Sequence, residues 1–195
     1  LPSAATAGVA WQNLGVDEAI ARGRQENKPI LIEFFATWCG PCQQLDAQVW
    51  SREDVAAEIR DHYVAIRLDG EQGAGPQAMR RFHVVGFPTT LVVGDDGNEI
   101  DRIFGIDAPA EFLLQIRNLR QGIGTVQDLE ERLARTPGDL LLRFEVGARW
   151  AIRGDERRAL KHLDIVVRRD AQNGRGLAAK TMLTLGNYLY LRGQK

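Results

Sequence analysis

The sequence is short of cysteine, of long apolar runs and of excess charge, and each shortage removes a class of protein. Two cysteines in 195 residues are too few for a disulfide-stapled scaffold, which needs more pairs at wider spacing. No run of about 18 apolar residues exists. The best stretch, Pro29 to Cys39, is interrupted by Glu33, so no membrane span is expected. A formal net charge of −1 gives no broad basic field, so nucleic acid and anionic membranes are not favoured as partners. His62, His83 and His162 have no metal-ligand spacing to the cysteines, so no metal site is expected. Hydrophobic residues make up 44% of the chain, enough for a real core. The length allows one large domain or two small ones.

The chain opens on Leu1 rather than Met, so a signal peptide, an anchor or part of an engineered sequence is expected to have been removed before it. Small residues from Ser3 to Gly8 read as a flexible leader over residues 1–8, without the charged-then-apolar pattern of an intact signal peptide. Val9 to Leu14 predicts a short strand and Val16 to Asn27 a helix. Ile30 to Ala36 is the β-rich apolar run of a central strand buried on both faces. Ser51, with Asp54 three residues on, predicts a capped helix start running to about Asp61. Tyr63 to Asp69 alternates like a strand and Ala74 to Phe82 can form a helix. Thr89 to Val93 and Glu99 to Phe104 flank the turn signal Gly94-Asp95-Asp96-Gly97-Asn98. Ala108 to Arg120 is amphipathic. This order predicts a mixed central sheet covered by helices. After Gln121 no strand pattern follows. Helical periodicity covers Val126 to Arg135, Leu140 to Arg153, Glu156 to Arg169 and Leu177 to Leu191. The expected organisation is therefore an α/β domain over 9–121 and an all-α region over 122–195.

The chemistry concentrates at Trp38-Cys39-Gly40-Pro41-Cys42. Two thiols three apart at a strand-to-helix turn can close a small disulfide ring. Cys39 would sit at a helix N-terminus, where orphan N–H groups and the helix dipole favour a thiolate. Cys42, one turn inside, should be more buried. Cys39 would then attack a disulfide and Cys42 resolve the mixed disulfide. Pro41 suits a first helical turn. A zinc site and an inert structural disulfide are the competing readings.

Phe34-Phe35-Ala36-Thr37-Trp38-Cys39-Gly40-Pro41-Cys42, then Gly86-Phe87-Pro88-Thr89-Thr90, Gly97 and Gly105, resemble the thioredoxin superfamily in the same order over about residues 10–120. The resemblance implies a thioredoxin fold. Cys42-Gln43-Gln44-Leu45-Asp46, Val49-Trp50-Ser51, Asp54-Val55 and Leu68-Asp69 resemble most the soluble C-terminal domain of transmembrane thiol:disulfide interchange proteins. That likeness implies a periplasmic or otherwise extracytoplasmic reductase, fed by a membrane electron donor and acting on protein disulfide clients. A cytoplasmic thioredoxin with a helical adaptor is the alternative. The resemblance assigns Cys39 and Cys42 to catalysis and needs no cofactor beyond their disulfide. It makes Glu33 the buried acid that exchanges a proton with Cys42. It makes Pro88 a cis-proline that exposes the Phe87 backbone to substrate, with Trp38, Gly40 and Pro41 completing the docking surface. The sequence departs from the family at Phe35, where a second Trp is usual, and at Phe87, which is bulkier than usual. It departs again at Ala47, where a kinking proline is usual, and at Ala65, where a lysine usually pairs with the buried acid.

Gly147-Ala148-Arg149-Trp150 with Gly154-Asp155, Ala159, Leu163 and Val166 follows tetratricopeptide spacing, and Leu185 to Gly193 looks like the start of a second unit. A partner-binding role for these helices is expected. A binding or chaperone-like module with a secondary redox site is the third reading.

Overall fold

A computed structural model describes residues 8–193. The expected leader at 1–8 therefore lies outside the described residues except for Gly8. In chain order the elements are α1 (Val16–Glu26), β1 (Ile30–Phe35), α2 (Gly40–Leu45), a π-helical segment (Asp46–Trp50), α3 (Glu53–His62), β2 (Val64–Asp69), α4 (Gly75–Arg81), β3 (Thr89–Val93), β4 (Glu99–Phe104), α5 (Pro109–Arg120), α6 (Val126–Arg135), α7 (Leu140–Ile152), α8 (Glu156–Arg169) and α9 (Leu177–Gly193). They form two compact units. One runs to Phe82 and resumes over Gly86–Ile123; the other joins His83–Val85 to the chain from Gly124 onward. The dividing line falls two residues beyond the expected one.

The first unit is built on a four-stranded sheet of order β2-β1-β3-β4. β1 pairs parallel with β2 and antiparallel with β3, and β3 pairs antiparallel with β4. β1 is thus central, which explains its unbroken Ile-Leu-Ile-Glu-Phe-Phe run. The β3–β4 turn closes through Gly97, whose φ of +86° is open to glycine without strain. Leu31, Val92, Phe112 and Ile116 are fully buried in the core beneath the sheet. Tyr63 is buried beside them and donates its hydroxyl to Ile116 O at 2.5 Å.

Two expectations fail here. Val9 to Leu14 is not a strand: it makes a single parallel bridge, Gln12 to Ile66, and Trp11 instead packs edge-on against Trp50 at 5.2 Å. Ser51 does not cap α3. Its Oγ donates to Ala47 O at 2.8 Å, and the N-cap position belongs to Arg52, which makes no side-chain cap. The helix carrying Cys42 also departs from α geometry without a proline: Ser51 N–H reaches Asp46 O at 3.1 Å, the i→i−5 bond of a π turn.

The second unit is helical. Thr125, Asp139 and Asp155 cap α6, α7 and α8 by accepting from Asp128, Leu142 and Arg158 N–H, which satisfies orphan donors of each first turn. Asp170 accepts from Arg175, Leu177 and Ala178 N–H and so shapes the entry to α9. The core joins Leu129, Leu133, Val146, Trp150 and Leu163. Gly147 lets α8 come close: a Cβ there would lie 2.6 Å from Leu163 Cδ2.

Candidate active site

The β1-to-α2 turn brings the two cysteines together, and they are joined as a disulfide with a Cα–Cα distance of 5.3 Å. Cys39 is the N-cap of α2: its Sγ accepts the Cys42 N–H at 3.1 Å, and Pro41 occupies the first turn where its missing donor is harmless. A thiolate formed at Cys39 would meet that N–H and the positive end of the helix. The burial contrast expected between the cysteines is small in the disulfide state, 3% exposure for Cys39 against 1% for Cys42. Ala36, Phe35 and Phe87 pack with the pair.

Around this disulfide lies a ledge. Trp38 is 65% exposed. Its indole N–H donates to Glu71 Oε2 at 2.9 Å, and its ring meets Phe87 edge-on at 6.1 Å. The Phe87–Pro88 peptide bond is cis. Phe87 lies over Gly70, where a Cβ would sit 2.4 Å from the ring, so the bulky aromatic at this position is matched by a missing side chain opposite it. Gly40 stands open, with no atom within 4 Å of an added Cβ.

Glu33 is fully buried. It lies on β1 two residues before Phe35, hence on the same face of the strand as the ring that packs with the cysteines. Burial pushes its carboxyl up to about 7; the Arg67 guanidinium and the nearby Trp50 indole oppose the rise, and the charge of Asp46 adds to it. Arg67 is the counter-charge that sequence reasoning missed. β1 and β2 set Glu33 beside Arg67 in register, and Arg67 Nε stands 3.0 Å from Glu33 Oε2. The contact is an ion pair by distance rather than an aligned hydrogen bond, since neither Glu33 oxygen has a hydrogen-bond partner among the described residues. Arg67 also donates to Asp46 Oδ2 at 2.9 Å and lies 4.1 Å above the Phe35 ring. The substitution at Ala65 therefore does not leave the acid without a cation. The signal for Arg67 was a lone cation in an apolar strand next to a strand holding a lone acid. Glu71 carried no comparable signal.

The sequence matches a thioredoxin-like family model over residues 10–94 and a tetratricopeptide repeat model over residues 120–189. It is 36% identical over 90 residues to a thioredoxin from Mycolicibacterium smegmatis, covering 46% of this chain and 77% of that one. Over 115 residues it is 30% identical to the thiol:disulfide interchange protein DsbD of Ralstonia nicotianae, covering 57% of this chain and 18% of that protein. A solved thioredoxin from Thermus thermophilus superposes with a TM-score of 0.51 at 27% identity, covering 57% of this chain and 87% of that one.

Proposed function

The chain belongs to the thioredoxin family, as a thiol:disulfide oxidoreductase with a tetratricopeptide-like helical region, and from that premise we propose that it reduces protein disulfides outside the cytoplasm. The observation that carries the chemistry is Cys39 at the N-cap of α2, its sulfur facing the Cys42 N–H. In the reduced enzyme the Cys39 thiolate attacks a client disulfide. One client sulfur leaves as thiolate and the other is held in a mixed disulfide with Cys39. Cys42 passes its proton to the ionised Glu33 and attacks Cys39 Sγ. The second client sulfur leaves as thiolate, and the Cys39–Cys42 disulfide forms. The client has gained two electrons, and a donor returns them to the pair. Glu33 suits this exchange because a carboxyl titrating at about 7 both takes and returns a proton near neutral pH.

Trp38, Gly40, Pro41 and the cis Phe87–Pro88 segment form the ledge on which an extended client chain docks. No cofactor beyond the disulfide enters the scheme. The extracytoplasmic setting and a membrane electron donor are supported by the likeness to the interchange protein, and the reducing direction by the Gly-Pro pair between the cysteines.

Equilibration of the Cys39–Cys42 pair against a thiol redox buffer tests the direction. A reduction potential at or below about −230 mV is expected for a reductase. A value above about −180 mV would make the pair an oxidant or isomerase. Client trapping by Cys42→Ala, as mixed disulfides on Cys39, tests the division of labour between the two sulfurs.

A further inference from the structure

One face of α9 presents apolar side chains that are mostly exposed. Met182, Leu183, Leu189 and Tyr190 are 58, 67, 62 and 66% exposed. They surround Gly186, where an added Cβ would meet no atom within 4 Å. The other face of the helix is occupied, with Leu177, Thr181 and Tyr188 buried. Single exposed apolar residues are ordinary, but a contiguous patch marks a binding surface.

The chain itself shows what such a notch receives. α7 has the same spacing: Gly147 and Gly154 stand seven apart, as do Gly186 and Gly193. Val146 precedes its glycine as Leu185 does, and Trp150 follows as Leu189 does. At Gly147 the notch is filled, because Leu163 of α8 lies where a Cβ would otherwise stand. The missing side chain on α7 admits a leucine of an amphipathic helix. Gly186 offers the same opening.

Charge selects the kind of helix. Residues 171–195 contain Arg175, Lys180, Arg192 and Lys195 and no Asp or Glu, and Arg175 and Lys180 are exposed. A second copy docked face to face would oppose cation to cation. We propose that the α9 face around Gly186 docks an acidic amphipathic helix of a partner protein. A leucine-sized side chain enters the notch, and carboxylates lie toward Arg175 and Lys180. The α9 face belongs to the helical unit and the dithiol to the other, and the proposal does not rest on the direction or compartment argued above.

The test titrates the full chain with two labelled synthetic peptides of about 18 residues, roughly five helical turns. Both copy the apolar spacing of Ala159, Leu163 and Val166; one carries glutamates and the other lysines on its outer face. Fluorescence anisotropy should show the acidic peptide binding at least about tenfold more tightly, with the difference shrinking as salt is raised. Gly186→Leu, which fills the notch, should weaken binding at least about tenfold. The paired change Met182→Ser and Leu189→Ser should do the same, and covers the case in which the bulkier variant misfolds. Insulin reduction, unchanged throughout, reads the dithiol separately. Equal affinity for both peptides, no binding up to about 100 µM, or full affinity in both variants overturns the proposal. So does dimerisation of the peptide-free chain that Gly186→Leu abolishes, which would make the occupant a second copy.

Discussion

Glu33 is a carboxylic acid that the folded chain prefers to keep protonated, which reverses the usual pH dependence of a paired acid. It titrates at about 7 when folded against an ordinary 4.5. Between those values the folded state holds a proton that the unfolded state has released. Stability therefore falls as pH rises through this window and the loss is complete above it. The window is worth about 3 kcal/mol. Glu33→Gln removes this dependence. The urea-unfolding free energy of the wild type minus that of the variant should be larger at pH 5 than at pH 8 by about 2.5 kcal/mol; equal differences at the two values would refute a raised Glu33. Arg67→Met keeps a packing stem and deletes the charge 3.0 Å from the carboxyl. Glu33 should then climb above about 7, because the opposing charge is gone and the burial remains. Carbon-13 NMR of the Glu33 carboxyl measures this, and an unmoved titration would show that Arg67 is not what restrains the rise. Of this pair only Glu33 was legible in the sequence, as an acid inside an apolar run. Arg67 was not, because the likeness pointed to Ala65, and which residue meets Glu33 depends on the register in which β1 and β2 pair.

At the scale of the element, periodicity located the helices and β1 to β4 well, and local polar signals less well. Val9 to Leu14 has strand composition, yet the bridge from Gln12 to Ile66 is its one β-pairing; its Val9 N–H goes to Trp50 O and its Trp11 ring packs edge-on against Trp50. Ser51 with Asp54 spells a cap, but the π turn before it places the Ser51 hydroxyl on the Ala47 carbonyl. Asp139 and Asp155, by contrast, do cap, accepting from Leu142 N–H at 3.0 Å and Arg158 N–H at 2.9 Å. The difference is measurable. Asp139→Ala and Asp155→Ala should each destabilise the chain by about 1 kcal/mol in urea unfolding, whereas Ser51→Ala should stay within about 0.5 kcal/mol. A loss at Ser51 as large as at the two aspartates would mean that its hydroxyl does cap α3 in solution.

Over the whole molecule, charge and chemistry are divided between the units. The chain up to Ile123 carries 17 acids and 11 cations, and the remainder 9 acids and 14 cations. The end of the strand pattern after Gln121 is what placed the expected boundary, and the two compact units divide at Ile123 and Gly124. The grouping of His83–Val85 with the later unit was not readable, because nothing in three residues shows where they pack. It has a consequence for truncation. A chain ending at Ile123 retains Cys39, Cys42, Glu33, Arg67 and the Phe87–Pro88 segment, but it takes from His83–Val85 the rest of the unit they belong to, including Gly154, where an added Cβ would lie 3.6 Å from His83 Cβ and 4.0 Å from Val85 Cγ1. Truncation should therefore separate stability from chemistry. The melting temperature should fall by about 4–8 °C for each kcal/mol lost, while the rate of insulin disulfide reduction below that temperature should stay within about twofold, under about 0.5 kcal/mol in barrier height. A truncated chain that melts normally yet loses its reductase rate would give the helical unit a part in the disulfide exchange itself, and the assignment of catalysis to the first unit alone would fall.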